Sequence, residues 1–170
     1  MLELLAMPLA CVPDSPWRFA IREAVPGDEA LALSFVRRLA EYERLADGVR
    51  ATEASLRSAL FERRYARAAF AMGETGNPSR EIGIAIWYYG YSTFRGAPIL
   101  YLEDLYVDAA WRGKGVATRL FAYLRDKARE VGCDRIEWSV LGWNATAKDF
   151  YRSLGGKHKG DWEPFCLDLR

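Results

Sequence analysis

From Trp17 to Val25 apolar and charged residues interleave, with Phe19, Ile21 and Ala24 set against Arg18, Arg22 and Glu23, which predicts a first strand. Pro26-Gly27-Asp28-Glu29 turns the chain into a helix and places acids in its first turn, where the helix dipole favours them. Leu31, Phe35, Leu39 and Tyr42 then recur at steps of four and three, one face of a helix that fades by Asp47-Gly48. Thr52-Glu53-Ala54-Ser55 opens a second, short helix carried by Leu56, Leu60 and Phe61.

Beyond Arg63-Arg64 the period changes. Tyr65 to Met72 and Glu81 to Tyr91 read as strands joined by a hairpin connection over Gly73 to Pro78, and Ser92 to Pro98 turns the chain again. Ile99 to Val107 is a further strand, followed by a glycine loop and a helix from about Gly115 to Val131, with Gly132 in the usual C′ role. Arg135 to Val140 reads as a strand, Asn144 to Leu154 as a helix closed by Gly155-Gly156, and Trp162 to Leu169 as a last strand. The order β-α-α-β-β-β-α-β-α-β predicts an α/β fold, a mixed sheet with helices on both faces.

At 170 residues the chain is the length of one domain able to bury a sizeable core. A net charge of +1 carries no nucleic-acid footprint and no dedicated membrane surface. Three cysteines without metal-ligand spacing and a single histidine, His158, supply no Cys/His metal site and fit a reducing, cytoplasmic compartment. Residues 1–16 are apolar, but Glu3, Pro8 and the missing basic region argue against an export signal. They read as a loosely ordered extension ahead of a single domain over 17–170.

The chemistry concentrates at Arg112-Gly113-Lys114-Gly115-Val116-Ala117, between a strand and a helix. A helix N-terminus offers free N–H groups and positive potential, two glycines let the backbone approach an anion, and Arg112 and Lys114 add charge. The loop lacks the spacing of a Walker P-loop. A dinucleotide fingerprint fails at Thr118, and five residues separate the strand from its first glycine, although Asp134 falls about where a ribose ligand belongs.

Arg112, Gly115 and Ala117 match every fixed position of Arg/Gln-x-x-Gly-x-Gly/Ala, and the loop resembles the acetyl-CoA pyrophosphate loop of the GCN5-related N-acetyltransferase family. Trp143-Asn144 and Phe150-Tyr151 resemble the second half of that family's cofactor site. Tyr101-Leu102-Glu103-Asp104, Leu39-Ala40-Glu41-Tyr42-Glu43, Tyr91-Ser92-Thr93, Trp162 and Phe165 resemble its diamine branch, of spermidine/spermine and thialysine type. The likeness runs from about Phe19 to Asp168. It implies a mostly antiparallel central sheet with a splayed cofactor-binding strand, acetyl-CoA as co-substrate, no metal, a small cationic amine as acceptor, and a homodimer.

The resemblance also implies roles. Leu105, Tyr106 and Val107 face the thioester and pantetheine through their backbone, Gly113 to Ala117 hold the pyrophosphate with Arg112 in support, and Asn144 lies near the pantetheine or caps its helix. An alkyl ammonium of pKa about 10.4 must lose a proton, at a cost of about 4.6 kcal/mol at pH 7. Glu103 matches the water-mediated base and Asp104 a substrate contact. Tyr151 matches the general acid that protonates the departing thiolate. Tyr42, Glu43 and Trp162 match acceptor-side positions.

As neighbours on a strand, Glu103 and Asp104 are expected on opposite faces, which argues against a paired dyad. Asn144 and Tyr151, seven apart, share a helix face. Ser34 stands where polyamine-specific relatives carry a basic residue, which leaves diamines, thialysine and other small primary amines open. Acetylation of a protein lysine or N-terminus is the alternative among enzymes, and an acetyl-CoA-binding sensor without turnover is the alternative outside them.

Overall fold

Alternation, helix-period stripes and glycine punctuation produce the expected order of elements, up to the last strand. The computed structural model describes residues 19–73, 80–160 and 163–169, which fall into two compact units divided after Trp138. Both the 1–16 extension and Trp162 lie outside the described residues.

The first unit holds β1 (Phe19–Glu23), α1 (Glu29–Glu43), α2 (Glu53–Arg57), β2 (Arg67–Gly73), β3 (Arg80–Ser92), β4 (Ala97–Val107), α3 (Val116–Val131) and β5 (Ile136–Trp138). Among the described residues the strands form one five-stranded sheet in the order β1-β2-β3-β4-β5. The first three pairings are antiparallel and β4–β5 is parallel. β5 pairs only Leu100 to Leu102, so β4 runs on to Val107 with β3 as its ladder partner. That one-sided stretch is the expected splay.

Side-chain alternation sends the two sheet faces to different helices. Phe70, Ile84 and Ile86 pack with Ala32 and Phe35 of α1 and with Leu60 of a π turn at Ser58–Glu62 that continues α2. Trp87 and Tyr89 face the other way, where Trp87 meets Tyr123 of α3 edge-on with ring centres 5.9 Å apart, and the Tyr89 hydroxyl donates to the Lys127 carbonyl. Leu120 and Leu124 of α3 are fully buried. At 25 cal/mol per Å², side chains of this size contribute about 1.5–3 kcal/mol each on burial.

α1 ends at Tyr42 and Glu43, two of the expected acceptor-side positions. Arg44, just past Tyr42 and Glu43, adopts a left-handed conformation (φ 62°) and donates its N–H to Ala40 and Glu41 carbonyls, which closes the helix. Arg38 Nη1 donates to Asp108 Oδ1 at 2.8 Å and ties α1 to the chain just after β4.

The second unit contains α4 (Ala145–Ser153). Asn144 caps it, its side-chain oxygen accepting from the Ala147 N–H at 3.1 Å, and Gly155 follows at φ 86°. The strand expected over Trp162 to Leu169 is not formed by the described residues 163–169. The alternation of Phe165, Leu167 and Leu169 is real, but all three side chains are exposed and Pro164 has no N–H for a ladder. Pattern without a pairing partner makes no strand.

Candidate active site

The ladder between β3 and β4 slips by one residue at the positions that carry the acids. Trp87 pairs with Leu102 and Ile86 pairs with Asp104, so Glu103 is the extra residue of a β-bulge. Paired residues share a face. Leu102 therefore goes with Trp87 toward α3, and Asp104 goes with Ile86 toward α1. Glu103, two residues beyond Tyr101 (the partner of Tyr88), also leaves on the α1 side. The opposite-face expectation for the two carboxylates is overturned: alternation holds only in an unbroken ladder.

The electrostatics agree with that placement. Burial pushes the Asp104 carboxyl up to about 6, and the nearby charges of Glu103 and Glu43 push in the same direction. Burial also raises the Glu43 carboxyl. None of these three acids makes an ion pair among the described residues. Nor are they grouped closely enough to hold a metal ion. Together they form a patch of negative charge without ion-pair partners among the described residues.

Aromatic rings border the patch. Tyr88 and Tyr101 stack across the β3–β4 ladder with ring centres 5.1 Å apart, and Glu103 contributes to raising the Tyr88 phenol above its ordinary value, after burial. Neither was among the expected acceptor-side residues. Their stacking depends on register, and spacing along one strand does not reveal it.

Arg112 connects this acidic region to the glycine loop. Its Nε donates to the Val107 carbonyl at 3.0 Å, and its guanidinium lies 4.5 Å from the centre of the Tyr42 ring and 5.7 Å from that of Tyr106. Lys114 sits over Trp111, with Nζ 5.0 Å from the ring centre. Gly113 and Gly115 have φ of 72° and 85°, the left-handed region that favours glycine, and a Cβ at either would meet no atom within 4 Å.

Gly115 is the N-cap of α3 and provides no side-chain cap, so the first-turn N–H groups are left to an external acceptor. The residues present fit a pyrophosphate: an uncapped helix start, an open glycine backbone and a braced arginine. Val107 and Val116 bury their side chains in the core, so only their main chain can meet a ligand. Leu105 and Tyr106 are half-buried on β4.

The structure thus brings Tyr42, Glu43, Glu103, Asp104, Tyr106 and Arg112 into one neighbourhood. Asn144 and Tyr151 sit on the second unit. There Tyr151 is half-buried, two residues before the end of α4, with its ring centre 5.2 Å from that of Phe150. His158 is exposed beyond the helix.

The site thus combines an open mixed sheet, a bulged, one-sided β4 and an uncapped glycine loop. A profile of the acetyltransferase (GNAT) family matches residues 37–155, and the chain belongs to that family and is an N-acetyltransferase. It is 37% identical over 143 residues to a thialysine N-epsilon-acetyltransferase of Bos taurus, covering 81% of this chain and 83% of the relative. It is 30% identical over 141 residues to the human spermidine/spermine N(1)-acetyltransferase-like protein 1, covering 81% of this chain and 20% of that protein. These relatives place it on the diamine side of the family. A solved structure described as a probable acetyltransferase superposes with a TM-score of 0.73 at 21% identity, covering 89% of this chain and 98% of the other. At that identity the likeness concerns the fold. No described helix is long and apolar enough to cross a membrane.

Proposed function

We propose that this chain transfers acetyl from acetyl-CoA to a small primary amine of the diamine, polyamine or thialysine kind, by direct attack with both substrates bound. The observation that carries the reading is the set of three carboxylates without basic partners beside the β4 bulge, next to an open anion cradle. A cation balances the first feature and a pyrophosphate the second. The thialysine acetyltransferase relative supports the same acceptor class.

Acetyl-CoA supplies an acyl group already activated as a thioester. The main chain of Gly113 to Ala117 holds the pyrophosphate, and Arg112 braces the loop. Backbone N–H groups of Leu105 to Val107 on the one-sided stretch of β4 serve as donors to the thioester oxygen and pantetheine, an arrangement commonly worth about 3–4 kcal/mol. Asn144 holds the start of α4, and its side-chain oxygen is already engaged as the cap.

The acceptor arrives as an ammonium. Asp104, Glu43 and the Tyr42 and Trp162 rings bind its charge, and Glu103 takes the proton from the attacking nitrogen through a water. The nitrogen lone pair forms the new C–N bond, the C–S bond breaks, and Tyr151 gives its proton to the departing sulfur. The free thiols of Cys133 and Cys166 support a reducing, cytoplasmic setting, and the family likeness supports a homodimer and one catalytic domain over 17–170.

The test is mass spectrometry of products after incubation with acetyl-CoA and an equimolar mixture of thialysine, putrescine, spermidine and a lysine peptide. Acetylation of a small amine is the expected outcome. Acetylation of the peptide alone supports a protein acetyltransferase, and acetyl-CoA binding without product supports a sensor.

A further inference from the structure

Twelve residues of α3, about 18 Å of helix, separate Gly115 of the glycine loop from Lys127. At the Lys127 end a cleft of about 490 Å³ lies among the end of β1, the π turn, the start of β2 and the last turns of α3. Leu60, Phe61, Trp87 and Tyr89 give it an apolar lining, and Arg64, Arg67 and Lys127 give it cations.

The charges there do not balance. Lys127 Nζ is 3.1 Å from Glu23 and 3.0 Å from Glu130, so that cation is neutralised within the fold. Arg64 and Arg67 have no carboxylate within ion-pair distance among the described residues, and Arg67 lies 5.2 Å from the centre of the Tyr89 ring. Three cations thus face two carboxylates, and the cleft keeps one net positive charge, carried by two exposed guanidinium groups beside an aromatic wall.

A second observation is independent of charge. Trp87 is 1% exposed, and its indole N–H is the one buried side-chain polar atom found without a hydrogen-bond partner among the described residues. A buried donor without an acceptor is costly and rare in a folded protein. The backbone at the rim is unusual as well. Arg64 adopts φ 53°, rare for a long side chain, directly after a π turn closed by the Arg63 N–H on the Ser58 carbonyl.

We propose that this cleft is a second binding site, separate from the acetyl-transfer site, for a small organic carboxylate with an apolar body. A carboxylate accepts paired hydrogen bonds from guanidinium groups, and the covered Trp87 indole, which only donates, gains an acceptor when its N–H opens to the cleft that the residue lines. Leu60, Phe61 and Tyr89 suit a hydrocarbon body, which a bare inorganic anion does not have. The surplus positive charge disfavours a cationic ligand, so the amine acceptor does not belong here.

Calorimetric titration of the full chain with phenylacetate, in saturating CoA so that the glycine cradle is filled, tests the site. The expected result is saturable one-site binding that weakens fivefold or more in Arg64→Gln/Arg67→Gln with an unchanged melting temperature. Phenylacetamide, with the same body and no charge, binds at least fivefold more weakly. In parallel, the indole N–H resonance absent from the ¹H–¹⁵N spectrum of Trp87→Phe, or of Trp87→Tyr if the first does not fold, shifts when phenylacetate is added to the wild type. No saturable binding, a loss of less than fivefold in the double variant, equal binding of phenylacetamide, or an unmoved Trp87 resonance each overturns the proposal.

Discussion

Glu103 and Asp104 leave the same face of the sheet because the ladder steps from Trp87–Leu102 to Ile86–Asp104 and skips Glu103. One extra residue thereby turns a sequence that alternates into a carboxylate pair, joined from α1 by Glu43. Burial, and after it the like charges of Glu103 and Glu43, raise the Asp104 carboxyl to about 6. A positive charge beside the three carboxylates would offset their mutual repulsion and favour the ionised form. The bulge therefore concentrates negative charge on one face of the sheet.

That carboxyl makes stability depend on pH in a defined sense. Its folded value lies above its ordinary one, so the native state holds the proton more tightly than the unfolded chain. Its contribution to stability is complete below pH about 4, falls as pH rises toward about 6, and is then gone. Asp104→Asn should remove this dependence and stabilise the protein above pH 6 by up to about 3 kcal/mol, at 1.36 kcal/mol per unit. Thermal melts of both proteins from pH 4 to 8 check it; parallel curves would show that the Asp104 charge is not costly.

Arg112 and Tyr42 link the glycine loop to α1 through a guanidinium 4.5 Å from a ring centre. An exposed contact of this kind is worth about 0.5–1 kcal/mol. Tyr42→Leu should raise KM for acetyl-CoA about 2–5-fold, and Arg112→Lys should do the same, since it keeps the charge but loses the flat, stacking group. Steady-state kinetics with acetyl-CoA varied decides; KM unchanged in both would separate the loop from α1.

The loop glycines are required by conformation, since a Cβ at Gly113 or Gly115 would find open space within 4 Å. Alanine at either should cost about 1–2 kcal/mol of stability through its left-handed φ. Gly96→Ala, at φ 63° and equally open, is the control for that cost. Acetyl-CoA titration should show affinity lost in the loop variants and kept in the control.

Tyr151→Phe should keep acetyl-CoA affinity and lower kcat about 100-fold or more, the usual scale for a general acid. Turnover like that of the wild type would remove the Tyr151 hydroxyl from the reaction.

Much of this was legible in the chain itself. The stripe of Leu31, Phe35, Leu39 and Tyr42 marked α1, and Arg112, Gly115 and Ala117 marked the loop, because helix period and backbone freedom are local properties. The bulge at Glu103 was not legible, since pairing involves two strands and one strand's alternation says nothing of a skipped residue. The stacked Tyr88–Tyr101 pair and the Arg38–Asp108 tie were hidden for the same reason. Phe165, Leu167 and Leu169 alternate as a strand should and form none, because a strand needs a neighbour as well as a pattern.

The most direct measurement compares kcat/KM for putrescine with that for 4-aminobutan-1-ol, which replaces the distal ammonium by a neutral hydroxyl. An acceptor site built from Glu43, Glu103 and Asp104 should favour the diamine by about tenfold or more, the equivalent of one charge-assisted contact. Equal or better use of the amino alcohol would contradict the claim that these three carboxylates select the substrate.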